Sequence, residues 1–268
     1  MSKPVFRTPF ALLLAAATLA FACGGGEEEA AAPEGTADTE QAAPAGPTGA
    51  VSGTVNYAAD ADPDTPIKMD ADPVCAGLHQ EPVTTQKIIT DGQGHLANVF
   101  VWVKETPPGS YQPPAEQAVI DQKGCQYQPH VQGVMVGQEL LIRNSDPTLH
   151  NIHALPAKNQ EFNQGQPFEG MEMTKTFDEV ELPPFHFKCD VHPWMSSYLG
   201  VVPHPFFATS DDSGSFQIAN LPPGTYTLEA WHEELGSQTQ QITVEPDQTV
   251  EVTFDYGGGQ PAAETPAG

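Results

Sequence analysis

Apolar and polar residues alternate along several short stretches of this chain, and the alternation has the period of a half-buried strand rather than of a helix. It is plainest in Val51-Ser52-Gly53-Thr54-Val55-Asn56-Tyr57, in Gln240-Gln241-Ile242-Thr243-Val244 and in Thr249-Val250-Glu251-Val252-Thr253-Phe254. Ala97-Asn98-Val99-Phe100-Val101-Trp102-Val103-Lys104 is apolar on both faces, so it predicts a strand covered on both sides rather than an exposed edge. Further strand-like runs lie at residues 128–138, 140–144, 184–188, 206–209, 215–218 and 221–231, with Asp211-Asp212-Ser213-Gly214 as a turn. There is no long amphipathic helix, no glycine-rich phosphate loop and no catalytic triad. The pattern predicts an all-β protein.

The two ends read differently. Residues 1–22 have a basic start at Lys3 and Arg7 and an apolar run over residues 11–22, too short to span a bilayer, which reads as a signal peptide. The run ends in Leu19-Ala20-Phe21-Ala22-Cys23, which resembles a bacterial lipobox and implies lipidation of Cys23; ordinary signal cleavage nearby is the alternative. Residues 23–49 form an acidic linker rich in Ala, Glu, Pro and Gly, and residues 257–268 have the same character; neither can bury a core. The formal net charge is -25, and loss of Lys3 and Arg7 takes it to -27. Such acidity argues against nucleic acid and anionic lipid as partners. It suits a basic redox partner, or simple solubility.

Candidate chemistry is concentrated in Cys189-Asp190-Val191-His192-Pro193-Trp194-Met195. A thiolate, an imidazole and a thioether within seven residues are three of the four ligands of a trigonal blue-copper site, which needs one more histidine. The run before Cys189 has strand composition and Pro193 interrupts regular structure, so Cys189 is expected to end a strand with His192 and Met195 on a tight loop. Upstream, Leu140-Leu141-Ile142-Arg143-Asn144 is followed by a polar turn and His150-Asn151-Ile152-His153. A strand ending in Asn, then His-Asn, then Cys-x2-His-x2-Met about forty residues later, resembles the cupredoxins, the plastocyanin- and amicyanin-like group most. The resemblance covers roughly residues 115–203. It implies a Greek-key β-sandwich with His150, Cys189, His192 and Met195 as ligands to one type 1 copper ion. It also implies that Asn151 braces the cysteine loop from outside the ligand set. His192 is then expected at the apolar end of the sandwich with its ring edge near solvent, and Trp194, a departure from the usual residue there, beside it as a contact for the partner. His153 and His186 are out of phase with the ligands and expected to face away, and His204 and His232 are expected at the surface.

Of the other cysteines, Cys75 and Cys125 most simply form a disulfide in an oxidising compartment. The nearby His79 and His130 leave a second Cys/His metal site as the alternative. Asp-x-Ser-Gly-x-Phe followed by Leu-Pro-Pro-Gly-Thr-Tyr-Thr-Leu, at residues 211–228, resembles the carboxypeptidase regulatory-like, or transthyretin-like, sandwich. Residues 50–104 and 205–256 are therefore expected to complete one small sandwich with the cupredoxin-like part, residues 105–204, inserted between them; two sequential domains are the alternative. Together these features point to a blue-copper protein, not an enzyme, that carries single electrons in the bacterial cell envelope. It would be tethered to the membrane by a lipid and meet a redox protein such as a cytochrome c-like one. An adhesion or carbohydrate-binding lipoprotein with a structural copper site, and a periplasmic copper-trafficking protein, are the competing readings.

Overall fold

Sixteen strands and one short helix make up a computed structural model that describes residues 46–58 and 65–257. The targeting segment, Cys23, nearly all of the acidic linker and all but the first residue of the tail lie outside the described residues. In chain order, β1 (Gly49–Tyr57) precedes α1 (Pro73–Gly77) and β2 (Phe100–Val103). There follow β3 (Ala118–Gln122), β4 (Tyr127–Gln128), β5 (Val131–Met135), β6 (Leu140–Asn144), β7 (His150–Leu155), β8 (Phe162–Gln166) and β9 (Glu172–Lys175). The chain continues through β10 (Glu181–Lys188), β11 (Ser196–Val202) and β12 (Phe207–Thr209). It ends with β13 (Ser215–Leu221), β14 (Gly224–His232), β15 (Gly236–Val244) and β16 (Thr249–Tyr256).

These strands form four sheets with two cores. One pair of sheets has the orders β13-β1-β16 and β12-β2-β14-β15. Their inner faces meet over Val51, Val55, Val101, Val103, Leu228, Ile242 and Phe254, all buried in one cluster. The other pair has the orders β5-β11-β10-β7-β8 and β4-β3-β6-β9 and encloses Ile120, Ile142, Ile152, Phe185, Phe187 and Leu199. β1 runs parallel to β16 in full register and antiparallel to β13, so the first described strand is the centre of a sheet whose edge is the last described one. β2 likewise lies between β12 and β14.

The double-sided apolarity of β2 has a physical cause. Successive side chains point to opposite faces, so Val101 and Val103 enter the first core while Phe100 and Trp102 point out of it. The outward pair does not meet water. It packs with Val131, Val202, Phe207, Tyr198 and Trp231 in a third cluster where the two sandwiches touch. Gly133 of β5 and Gly200 of β11 are paired across their sheet, and a Cβ on either would lie 2.6 Å from the Phe100 ring. A buried hydrogen bond between His130 and Glu233 crosses the same junction, its side chains only 3% and 5% exposed.

The structure corrects two expectations. His204 and His232 are each about 1% exposed rather than at the surface. His204 Nε2 lies 3.0 Å from the Val103 carbonyl, and His232 Nδ1 accepts the Glu234 N–H. Burial lowers the pKa of both, that of His232 to about 4.

Two outcomes follow from this architecture. A fragment of residues 205–257 lacks the strands at the middle of both its sheets and is expected to be unfolded; its amide NMR spectrum should be poorly dispersed, and a dispersed one would overturn the shared-sheet assignment. His232 is depressed from an unfolded value near 6.5, so the unfolded chain takes up the proton first as the pH falls. The contribution of His232 to stability is therefore full above about pH 6.5 and falls by roughly 3 kcal/mol towards pH 4. Denaturant midpoints measured across that window should fall less steeply for His232→Gln than for the wild type.

Candidate metal centre

The strands β10 and β11 form an antiparallel hairpin in which Lys188 pairs with Ser196, so residues 189–195 are its loop. The loop is closed from within. The Cys189 N–H donates to the Met195 carbonyl at 3.3 Å, and the Met195 N–H to the His192 carbonyl at 2.9 Å. The His192 N–H points at the Cys189 sulfur, 3.3 Å away. β7 runs beside β10, and His150 is its first residue. Asn151 joins the two: its Oδ1 accepts the Asp190 N–H at 2.8 Å, which ties the loop to β7. The Tyr127 hydroxyl donates to the Asn151 carbonyl beneath it.

His150, Cys189 and His192 are brought together with their donor atoms all within 4.8 Å of one another. Met195 is buried in the same cluster as Cys189, and all four residues are 2% exposed or less. His150 Nδ1 and His192 Nδ1 face each other at 3.0 Å. The outer nitrogens are engaged by carboxylates: His150 Nε2 by Asp146 Oδ2 at 2.8 Å, and His192 Nε2 by Asp72 Oδ2 at 2.9 Å. Each carboxylate engages Nε2 and leaves Nδ1 facing inward, towards the Cys189 sulfur and the other ring. With both rings neutral, two inward nitrogens beside a sulfur are an arrangement that suits a cation. The donor set fits a soft or borderline transition metal such as copper.

The electrostatics agree. Burial opposes ionisation of the Cys189 thiol. Hydrogen bonds from both imidazoles and from the N–H groups of His192 and Asn151 outweigh it, and the pKa falls to about 6. Burial works against the charged form of each imidazole too, but Asp146 and the Cys189 thiolate raise His150, and Cys189 and Asp72 raise His192. Asp146 is lowered against its own burial by His150 and by the N–H groups of Cys125 and Gly124.

Two other donor groups overlap this one, Asp72 with Cys75 and His192, and Cys125 with Asp146 and His150. Neither has a thiolate to give, because Cys75 and Cys125 are joined to each other in a disulfide. His79 bonds the Gly124 carbonyl, and His130 bonds Glu233 and the Ser196 carbonyl. His153 turns to Asp190 and Glu161, and His186 to Ser196 Oγ.

His192 is not the ring with an exposed edge that the resemblance implies. It is 2% exposed although Val191 beside it is 44% exposed, because Asp72 and the disulfide lie over it. Trp194 is half-buried; its N–H donates to the Cys125 carbonyl at 3.0 Å and its ring lies 5.0 Å from that of His192. Its other side borders a cleft of about 280 Å3 shared with Lys87, His186, Tyr198 and Glu233. Asp72 and Asp146 are the functional residues that motif reading misses. Asp146 stands four residues before His150 in a turn rich in cap-forming residues, a weak local signal. Asp72 lies 120 residues from His192 and carries none.

Comparison with known proteins adds the following. Residues 203–256 match the family pattern of the carboxypeptidase regulatory-like domain. Among solved structures, the chain is similar to a methionine-to-alanine variant of amicyanin in its Cu(I) state, at 20% identity and a TM-score of 0.28, covering 38% of this chain and 97% of that one. It is similar to a purple cupredoxin from Nitrosopumilus maritimus at 22% identity and a TM-score of 0.27, covering 32% of this chain and 97% of that one. It is also similar to a copper-containing nitrite reductase from Thermus scotoductus SA-01 at 17% identity and a TM-score of 0.30, covering 36% of this chain. The match spans only 24% of the length of that reductase. No curated protein gives a significant match.

The disulfide closes a separation of 50 residues, for which the chain-entropy relation gives about 4 kcal/mol of stabilisation. An unreduced digest should contain Cys75 and Cys125 in one cross-linked peptide pair, and reduction should lower the unfolding free energy by about that amount. Alkylation of both residues without reductant would contradict the bridge.

Proposed function

We propose that His150, Cys189, His192 and Met195 hold one type 1 copper ion and that the protein carries single electrons in the bacterial cell envelope. The observation that carries this reading is the buried convergence of two inward-facing imidazole nitrogens and an acidified thiol, with Met195 in the same core. Copper in such a site supplies a one-electron Cu(I)/Cu(II) couple. The chain's contribution is to hold the donors in one arrangement and to keep water away from them. The loop's own hydrogen bonds, the Asn151 tie and the two carboxylates fix the donors before any metal arrives. Such rigidity favours electron exchange, since little must move when the charge changes.

Burial of all four residues closes the donors to a substrate, which favours a carrier over an enzyme. It also disfavours the copper-trafficking reading, because handing over an ion requires an approachable ligand. We infer that the two sandwiches are two domains, residues 50–104 with 205–256 as one and residues 105–204 inserted as the other. The partner we propose is a basic redox protein, drawn by a chain of net charge -25, at a rate that falls as ionic strength rises. Trp194 would offer its exposed edge to that partner while its buried edge packs on the disulfide. A lipid on Cys23 would keep the carrier at the membrane.

Copper-loaded wild type should show an intense visible band from the Cys189 thiolate. Cys189→Ser should lose the band and keep the far-ultraviolet β-sheet spectrum. Met195→Leu should keep the band and raise the reduction potential, because removing a thioether weakens support for Cu(II). A copper-loaded wild type without the band, or an unchanged band in Cys189→Ser, would refute the assignment.

A further inference from the structure

His192 is shielded by a segment far from it in sequence. Pro66 pairs with Thr84, and between them Asp72 caps α1, its Oδ1 accepting the N–H groups of Val74 at 2.8 Å and Cys75 at 3.3 Å. The other oxygen of Asp72 accepts from His192 Nε2 and, at 3.2 Å, from the Thr148 hydroxyl in the turn before His150. One carboxylate thus holds a helix start, a turn and an imidazole.

The far end of the disulfide repeats the arrangement. Asp146 accepts the Gly124 N–H at 2.8 Å and the Cys125 N–H at 2.7 Å, and it holds His150 Nε2. Cys125 sits at φ 53°, a conformation unusual for a residue with a side chain, and Gly124 before it at φ 65°. This turn presents both N–H groups to one carboxylate. Each half-cystine is therefore bonded through its backbone to the carboxylate that orients one of the two imidazoles. The sulfur of Cys75 also lies 3.7 Å from His192 Nε2. The three overlapping donor groups around the centre are the trace of this bracket.

We propose that Asp72 and Asp146, linked by the Cys75–Cys125 disulfide, form a bracket that positions His192 and His150 and closes the His192 ring against solvent. Asp72 and Asp146 are positioning residues; they act through the imidazoles. The bracket makes the integrity of the disulfide a condition for the geometry of the metal centre. The proposal rests on the reading of His150, Cys189 and His192 as metal ligands, but its first consequence, a closed His192 edge, belongs to the protein without metal.

The test therefore has two arms. In the first, the metal-free full chain is treated with diethyl pyrocarbonate and the rate of modification at each histidine is read by mass spectrometry. In the oxidised wild type His192 should react at least about ten-fold more slowly than the partly exposed His95. In Asp72→Ala and in the Cys75→Ala/Cys125→Ala double variant it should accelerate about ten-fold, while the buried His204 and His232 stay protected and so report that the fold is intact. Asp72→Asn, which keeps an acceptor oxygen of the same shape, should restore most of the protection. In the second arm, copper affinity is measured by competition with a chelator; loss of a carboxylate behind a ligating histidine typically costs 10–100-fold, so Asp72→Ala should weaken binding by about that factor and Asp72→Asn by less. Equal labelling of His192 in wild type and Asp72→Ala would overturn the bracket, whatever the copper arm gives. If His204 and His232 label in the variants as well, Asp72→Ser, which keeps a cap on α1 but no oxygen on His192, decides: loss of His192 protection there, with the others still protected, supports the bracket, and unchanged protection overturns it. A wild type that protects His192 yet binds no copper would defeat the electron-carrier reading and leave the bracket standing.

Discussion

Two imidazoles and a thiol cannot be buried side by side unless every polar atom among them finds a partner, and this requirement organises the end of the molecule that holds the candidate metal centre. Leaving one such group unpaired costs about 1–3 kcal/mol, and more when it is charged. The solution here faces each ring both ways: Nδ1 towards Cys189 and the other ring, Nε2 towards a carboxylate. The carboxylates are in turn satisfied by backbone N–H groups at the start of α1 and in the Gly124-Cys125 turn. The disulfide joins those two places. The polar shell is therefore continuous from the start of α1 to the Gly124-Cys125 turn.

That continuity gives the segment between β1 and β2 a second task. Its ends belong to the first sandwich, as β1 and β2 form the middle of its two sheets. Its centre crosses to the other sandwich and supplies Asp72 and Cys75 to the candidate centre. The two sandwiches are also joined through the packing of Phe100 and Trp102 and through the buried His130–Glu233 pair. The first sandwich is thus not a passive stalk; its strands β1 and β2 hold the shielding segment between them.

Shielding has a consequence for electron exchange. An imidazole edge open to solvent would offer a short route to a partner. Here the route from His192 outward meets Asp72, the disulfide and Trp194 before it meets water. Under the proposed function, a closed edge protects Cys189 from oxidants and limits adventitious ligands, and the protein surface above α1 becomes part of the path.

Much of this was legible in the chain itself, because strands and metal loops are local. Period-two alternation marks β1, β15 and β16 regardless of what they pack against. The apolarity of residues 97–104 on both faces announced a doubly covered strand, and the spacing of Cys189, His192 and Met195 on one hairpin loop is a property of seven successive residues. Even His150 is given away by the Asn-turn-His-Asn run that ends one strand and begins the next. What the sequence could not carry is whatever depends on distant segments meeting. Exposure of His192, His204 and His232 is decided by what covers them, and the covers come from residues 72–75, from Val103 and from the junction of the sandwiches. Asp72 stands in a stretch with no apolar rhythm, so nothing in its neighbourhood indicates a carboxylate for His192. Local pattern determined which side chains could form the centre; only the tertiary structure, by bringing Asp72 and the disulfide over it, decided that the centre is closed.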